Sequence, residues 1–91
     1  MKKIYKYNLA ITDTQKIMMP QWGNILSVQI QEGVLCIWVL VDPEELMKAR
    51  NFAVIGTGNP IDAKLIRPAV YIGSVQDFQF VWHVFDLGYD K

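Results

Sequence analysis

The sequence predicts a mainly β domain: a small antiparallel barrel or two-sheet sandwich of about seven strands with one short helix. Three observations carry that prediction. Apolar residues alternate with polar ones or gather in short runs of β-branched and aromatic side chains. Two-residue turn signals separate the longest of those runs. A single segment carries helix start and stop signals.

Along the chain, Tyr5, Tyr7 and Leu9 alternate with Lys6 and Asn8, the two-residue period of a half-buried strand. Thr12-Asp13-Thr14 is turn chemistry, and Gln15 to Met19 returns as a second strand that Pro20 stops. Gln21 to Asn24 is a loop carrying Trp22 beside Gly23. Ile25 to Gln31 and Val34 to Val41 then flank Glu32-Gly33, a hairpin whose loop suits a type I′ turn. Its register sets Gln31 opposite Val34, Ile30 opposite Leu35, Val28 opposite Ile37 and Leu26 opposite Val39. One face is then wholly apolar, and the other, with Gln29, Cys36 and Trp38, is mixed. A slip of one residue would scramble that separation.

Asp42 to Arg50 reads as the helix. Asp42 caps it, Pro43 suits the first position, Glu45 completes a capping box, and Lys48 and Arg50 favour its end. Phe52 to Ile55 is a further strand, closed by Gly56-Thr57-Gly58-Asn59-Pro60, and Ile61 to Pro68 is a connector. Ala69 to Val75 and Phe78 to Phe85 form a second hairpin across Gln76-Asp77, pairing Gly73 with Phe80 and Tyr71 with Trp82. That register lines Tyr71, Val75, Phe78, Phe80 and Trp82 along one face and puts His83 opposite Val70. Leu87 to Lys91 is a polar tail.

Ninety-one residues make one domain, 1–91, with no room for a second core. Such a chain folds on a dense apolar core, and 52% of its residues are hydrophobic. A single cysteine excludes a disulfide framework and fits a reducing compartment. Nine basic side chains balance nine acidic ones, without the basic stripe of a nucleic-acid binder, so no nucleic-acid partner is expected. The longest apolar run spans Val34 to Val41, far short of the roughly twenty residues of a membrane helix. After Met1-Lys2-Lys3, the segment Tyr5 to Asn8 is too polar for a secretion signal. A soluble, cytoplasmic-type protein is expected.

Chemistry has few places to reside. His83 lacks an adjacent nucleophile, carboxylate or second ligand in sequence, so it reads as a structural or surface histidine. Cys36, flanked by Leu35 and Ile37, reads as a buried inert thiol. Gly56-Thr57-Gly58-Asn59 resembles part of a phosphate loop but lacks the lysine and the following helix, and reads as a tight turn. No catalytic residue, metal ligand or cofactor is assigned. The aromatics allow two readings: neighbouring elements cover them, or they form a partner surface. On the second, Trp22, Gln29, Trp38 and Tyr71 are the candidate binding residues.

The segments Tyr5-Lys6-Tyr7, Ile11-Thr12-Asp13, Met19-Pro20, Ile25 to Gln29, Cys36-Ile37-Trp38, Val41-Asp42-Pro43, Gly56-Thr57-Gly58 with Pro60-Ile61, Tyr71-Ile72-Gly73 and Val81 to Phe85 form an ordered set. Together they resemble a family of small phage and prophage proteins of unknown function. The resemblance runs over nearly the whole chain in order and implies a bacterial cytoplasm and a mobile-element origin. It brings no catalytic residues. Taken with the surplus aromatics, it leads to the expectation of a non-enzymatic accessory protein. Such a protein is expected to bind a host protein or a small nucleotide-like signal and so to blunt host defence. The alternative is a structural homo-oligomer that turns the same aromatic surface on itself.

Overall fold

A computed structural model describes residues 1–91. Its seven strands are β1 (Lys3–Asn8), β2 (Gln15–Pro20), β3 (Asn24–Gln31), β4 (Val34–Val41), β5 (Met47–Gly56), β6 (Val70–Asp77) and β7 (Phe80–Tyr89), and its helix α1 is a single turn, Ala63–Ile66. All pairing is antiparallel. The strands form two open sheets, one ordered β1-β4-β3 and the other β2-β5-β7-β6. The two-sheet sandwich is therefore the architecture, and the closed barrel is not. Edge strands β3 and β6 come together along one side.

The core lies between the sheets. Val28, Leu35, Ile37 and Val39 from the first hairpin meet Met19, Phe52, Val54 and Val84 of the larger sheet. Burying each such side chain contributes about 1.5–3 kcal/mol, so this two-residue periodicity holds the layers together. Gly73 marks the closest approach at the seam, where an added Cβ would stand 3.0 Å from Val28 Cγ1.

The Glu32-Gly33 hairpin forms with the expected register from Gln31↔Val34 to Val28↔Ile37. Beyond Ser27 a bulge intervenes, so Ile25 rather than Leu26 faces Val39, and Leu26 turns outward, 47% exposed. Cys36 is buried on the outer face of its sheet, and Lys6 Nζ donates to Gln31 Oε1 at 2.8 Å from the opposite edge strand.

The helix expected over Asp42 to Arg50 does not form. Its start signal caps a turn instead: Glu44 N–H donates to Asp42 Oδ1 at 3.0 Å and Glu45 N–H to Asp42 O at 3.0 Å. Gln21 N–H then donates to Leu46 O, and the chain enters ten-residue β5, paired on both sides. A two-turn helix is marginal by itself, and a central strand that buries Phe52, Ala53, Val54 and Ile55 overrides its caps. The helix lies in the connector instead, where Asp62 caps it by accepting from Lys64 N–H at 2.9 Å.

The second hairpin turns across Phe78-Gln79 rather than Gln76-Asp77, with Phe78 at φ 56°. Val75 therefore faces Trp82 and Ser74 faces His83. The aromatic row survives in part: Val75, Phe80 and Trp82 share a face, with Phe80 stacked on Trp82 at 5.7 Å, while Phe78 goes to the turn and Tyr71 joins the opposite face with His83 and Phe85. Nor is the C-terminus a polar tail. β7 runs to Tyr89, whose hydroxyl donates to Pro20 O at 2.9 Å and accepts from Gly23 N–H at 3.1 Å.

Candidate functional site

Three polar side chains meet on the outer face of the larger sheet. β7 supplies His83, the turn after β5 supplies Thr57, and β6 supplies Tyr71. Thr57 Oγ1 lies 2.7 Å from His83 Nε2, and Tyr71 Oη lies 2.8 Å from His83 Nδ1. A β-bulge makes the meeting possible. Between Gly73↔Val84 and Tyr71↔Phe85, Ile72 is an extra residue in β6. Without it Tyr71 would stand opposite Asp86 and point toward the core, because a one-residue shift exchanges the faces of a strand.

Local chain geometry places the other two. Val84 is wholly buried between the sheets, so its neighbour His83 faces outward. Thr57 N–H donates to Val81 O at 3.1 Å and Asn59 N–H to Gly56 O at 3.0 Å, folding the turn back over the sheet end. Gly58 has φ +88°, the left-handed region that glycine enters without penalty. At Gly56 an added Cβ would come 2.8 Å from Asn59 Nδ2 and 3.0 Å from Trp82 Cζ3, so a side chain there would push Asn59 and the Trp82 ring aside.

The three side chains line a cavity of about 300 Å³, together with Ile55, Asn59, Ile61 and Phe85. No Lys, Arg, Asp or Glu side chain lines it. A neighbouring cavity of about 420 Å³ opens beyond the same turn, past Phe80 and Trp82. The smaller one has the convergent polar groups of a recognition site, met at His83. Trp82 Nε1 is buried without a hydrogen-bond partner.

A neutral imidazole carries one N–H, so the relay has two settings. In one, Tyr71 donates to Nδ1 and Nε2–H donates to Thr57. In the other, Thr57 donates to Nε2 and Nδ1–H donates to Tyr71. The Thr57 hydroxyl can thus present either a donor or an acceptor to whatever enters the cavity. The order hydroxyl, imidazole, orienting group follows the layout of a nucleophile and its base. Here the orienting group is a neutral phenol, where a carboxylate would stabilise an imidazolium.

Of the four candidates from sequence, only Tyr71 lies at this site. Trp22 projects from the β2–β3 turn at the other end of the molecule, 77% exposed and at φ 64°. Gln29 lies opposite Cys36, and Ser27 opposite Trp38, making Gln29 and Trp38 diagonal neighbours on the outer face of the smaller sheet. Thr57, Asn59 and His83 were legible as a turn and a lone histidine but not as a group. Placing the hairpin turn at Phe78-Gln79 would have moved His83 off Val70, though not onto Tyr71.

Fold and site together define a small β-sandwich with an aromatic-lined pocket, free of Lys, Arg, Asp and Glu, at the end of one sheet. Residues 1–90 match the family described as a domain of unknown function (DUF7352), and the chain belongs to that family. No curated protein and no solved structure matches it. No helix is long and apolar enough to cross a membrane.

Proposed function

We propose that this chain is a non-enzymatic binding protein that holds its partner at the cavity over Thr57, Tyr71 and His83. The His83 relay carries this reading. Both ring nitrogens are engaged by hydroxyls, in a cavity lined by no Lys, Arg, Asp or Glu, an arrangement suited to offering hydrogen bonds rather than to generating a nucleophile. The sequence resemblance to phage and prophage proteins supports a setting in the bacterial cytoplasm. There the protein binds a host protein or nucleotide-like signal and blunts a defence system. The test is native mass spectrometry of tagged protein from phage-infected cells, with Tyr71→Ala beside the wild type. A mass that accompanies the wild type and is lost from the variant is the expected result. If nothing accompanies the wild type, and its expression leaves phage plating on defended hosts unchanged, the reading fails.

A second reading, a structural homo-oligomer, is favoured by a different observation. Trp22 and Phe78 lie near opposite ends of β5, 77% and 89% exposed, each in left-handed backbone that bulky residues avoid. Light scattering at micromolar concentration decides it, since a strict monomer removes the assembly role.

A further inference from the structure

We propose that the His83 cavity takes a planar, uncharged nitrogen heterocycle of the nucleobase class, as a free base or nucleoside; this rests on the binding role of that cavity. Three features of the site select the class. The first is its wall. Tyr71 stands edge-on to Phe85 at 5.1 Å between centroids and tilted against His83 at 5.9 Å, so three rings line the cavity, each offering its own face. Planar heterocycles stack on such surfaces whatever their sequence of ring atoms.

The second feature is the polar rim. Thr57 switches between donor and acceptor through the His83 relay, and Asn59 adds a carboxamide, which carries both a donor and an acceptor. A base edge presents alternating N–H and C=O or ring-nitrogen groups, and these two side chains match that alternation in either order. The third feature is charge and size. Without a Lys or Arg on the lining, a phosphate finds no counter-charge there. At about 300 Å³ the cavity sits at the lower limit for ligand pockets, room for one base with its sugar and not for two linked nucleotides.

The experiment is an NMR titration of the full chain, following the amides of Thr57, Gly58 and Asn59 and the His83 ring. The ligands are four nucleosides, their 5′-monophosphates, inorganic phosphate and a short single-stranded oligonucleotide. At least one nucleoside is expected to saturate these resonances, its monophosphate to bind with similar affinity, and inorganic phosphate to shift nothing. His83→Ala, and the exposed-loop variant Asn59→Ala as a second probe that leaves the sheets untouched, are each expected to weaken binding about tenfold. Any of four results overturns the proposal. One is that no nucleoside saturates by about 10 mM. Two others are a monophosphate, or an oligonucleotide, that binds more than about tenfold tighter than the nucleoside. The fourth is a nucleoside whose affinity ignores both substitutions. If nucleosides fail while a co-purifying partner is still lost from Tyr71→Ala, the ligand class is wrong and the site stands. Binding that ignores both substitutions removes the site as well.

Discussion

Arg50 is the one charged side chain in the buried interior, and its partners explain how it stays there. Its Nη2 lies 2.6 Å from Asp86 Oδ2, and its Nε donates to Asp86 Oδ1 at 3.2 Å. The Nη1 group donates to Gly23 O at 2.8 Å, and the guanidinium stacks 4.7 Å over the Tyr89 ring. This cluster ties the Trp22 turn to β5 and β7. In sequence Arg50 looked like the end of a helix, and nothing in the spacing linked it to Asp86. The link is tertiary: Asp86 pairs with Phe52, two residues from Arg50 along β5, and the bulge that follows in β7 sets Tyr89 opposite Arg50. Asp86→Asn leaves the buried guanidinium uncompensated, so the urea midpoint should fall with unchanged slope, by the equivalent of about 3–5 kcal/mol. Two titrating side chains with shifted values make stability depend on pH. Burial, aided by Tyr5 and Tyr89, raises Tyr7 above its ordinary value, so the folded state holds that proton more tightly than the unfolded chain. Its contribution is complete below about pH 10 and is lost as pH rises through the folded value. Tyr7→Phe should flatten the alkaline limb of stability. Asp90 is lowered by hydrogen bonds from Asn51 and then Lys16, so its contribution is present above about pH 4 and fades as pH falls through the folded value. Asp90→Asn should flatten the acid limb, and added salt should weaken the effect because the pair is exposed.

At the scale of elements, the turns separate what sequence discloses from what it hides. Glu32-Gly33 was legible because Gly33 announces the turn and the flanking apolar runs admit one register. Phe78-Gln79 was not, because the polar pair Gln76-Asp77 just before it looks more like a turn than a phenylalanine does. In both loops a bulky L-residue occupies left-handed backbone: Glu32 at φ 51° and Phe78 at φ 56°. That conformation costs such residues about 1–2 kcal/mol, and asparagine tolerates it better. Glu32→Asn should therefore raise stability by about 1 kcal/mol, read as an upward shift of the urea midpoint. The helix shows the converse error. Every local signal at Asp42 was genuine, and the structure uses it to cap a turn. Local signals specify how a segment begins, while the pairing offered by neighbouring strands decides what it becomes.

The whole molecule is a slab whose Cα atoms span 40 × 32 × 16 Å, and its sheets close along one side at β3 and β6. The apolar face of Ile25 to Val41 and the apolar run Phe52 to Ile55 foretold a barrel or a two-sheet sandwich. They could not foretell which edges meet, because that depends on bulges at Leu26 and Ile72 that leave no mark in the apolar pattern. The seam itself rests on a size match between Gly73 and Val28. Gly73 is outside the left-handed region, so alanine fits its backbone and stiffens the unfolded chain, a gain of about 0.4–1 kcal/mol. The added methyl, however, would meet Val28 Cγ1 at 3.0 Å, and Val28 is held between the sheets with little freedom to move. Overpacking of that kind costs about 1–3 kcal/mol, so Gly73→Ala should destabilise on balance. Val28→Ala alone leaves a void and destabilises as well. If the two residues set the sheet spacing together, the double variant should be more stable than the sum of the single losses allows. A coupling of about 0.5–3 kcal/mol from urea unfolding of all four proteins is the expected outcome. Strict additivity would mean that the sheets shift apart freely at this seam, and that their spacing is set by Phe52, Ile37 and Val84 deeper in the core.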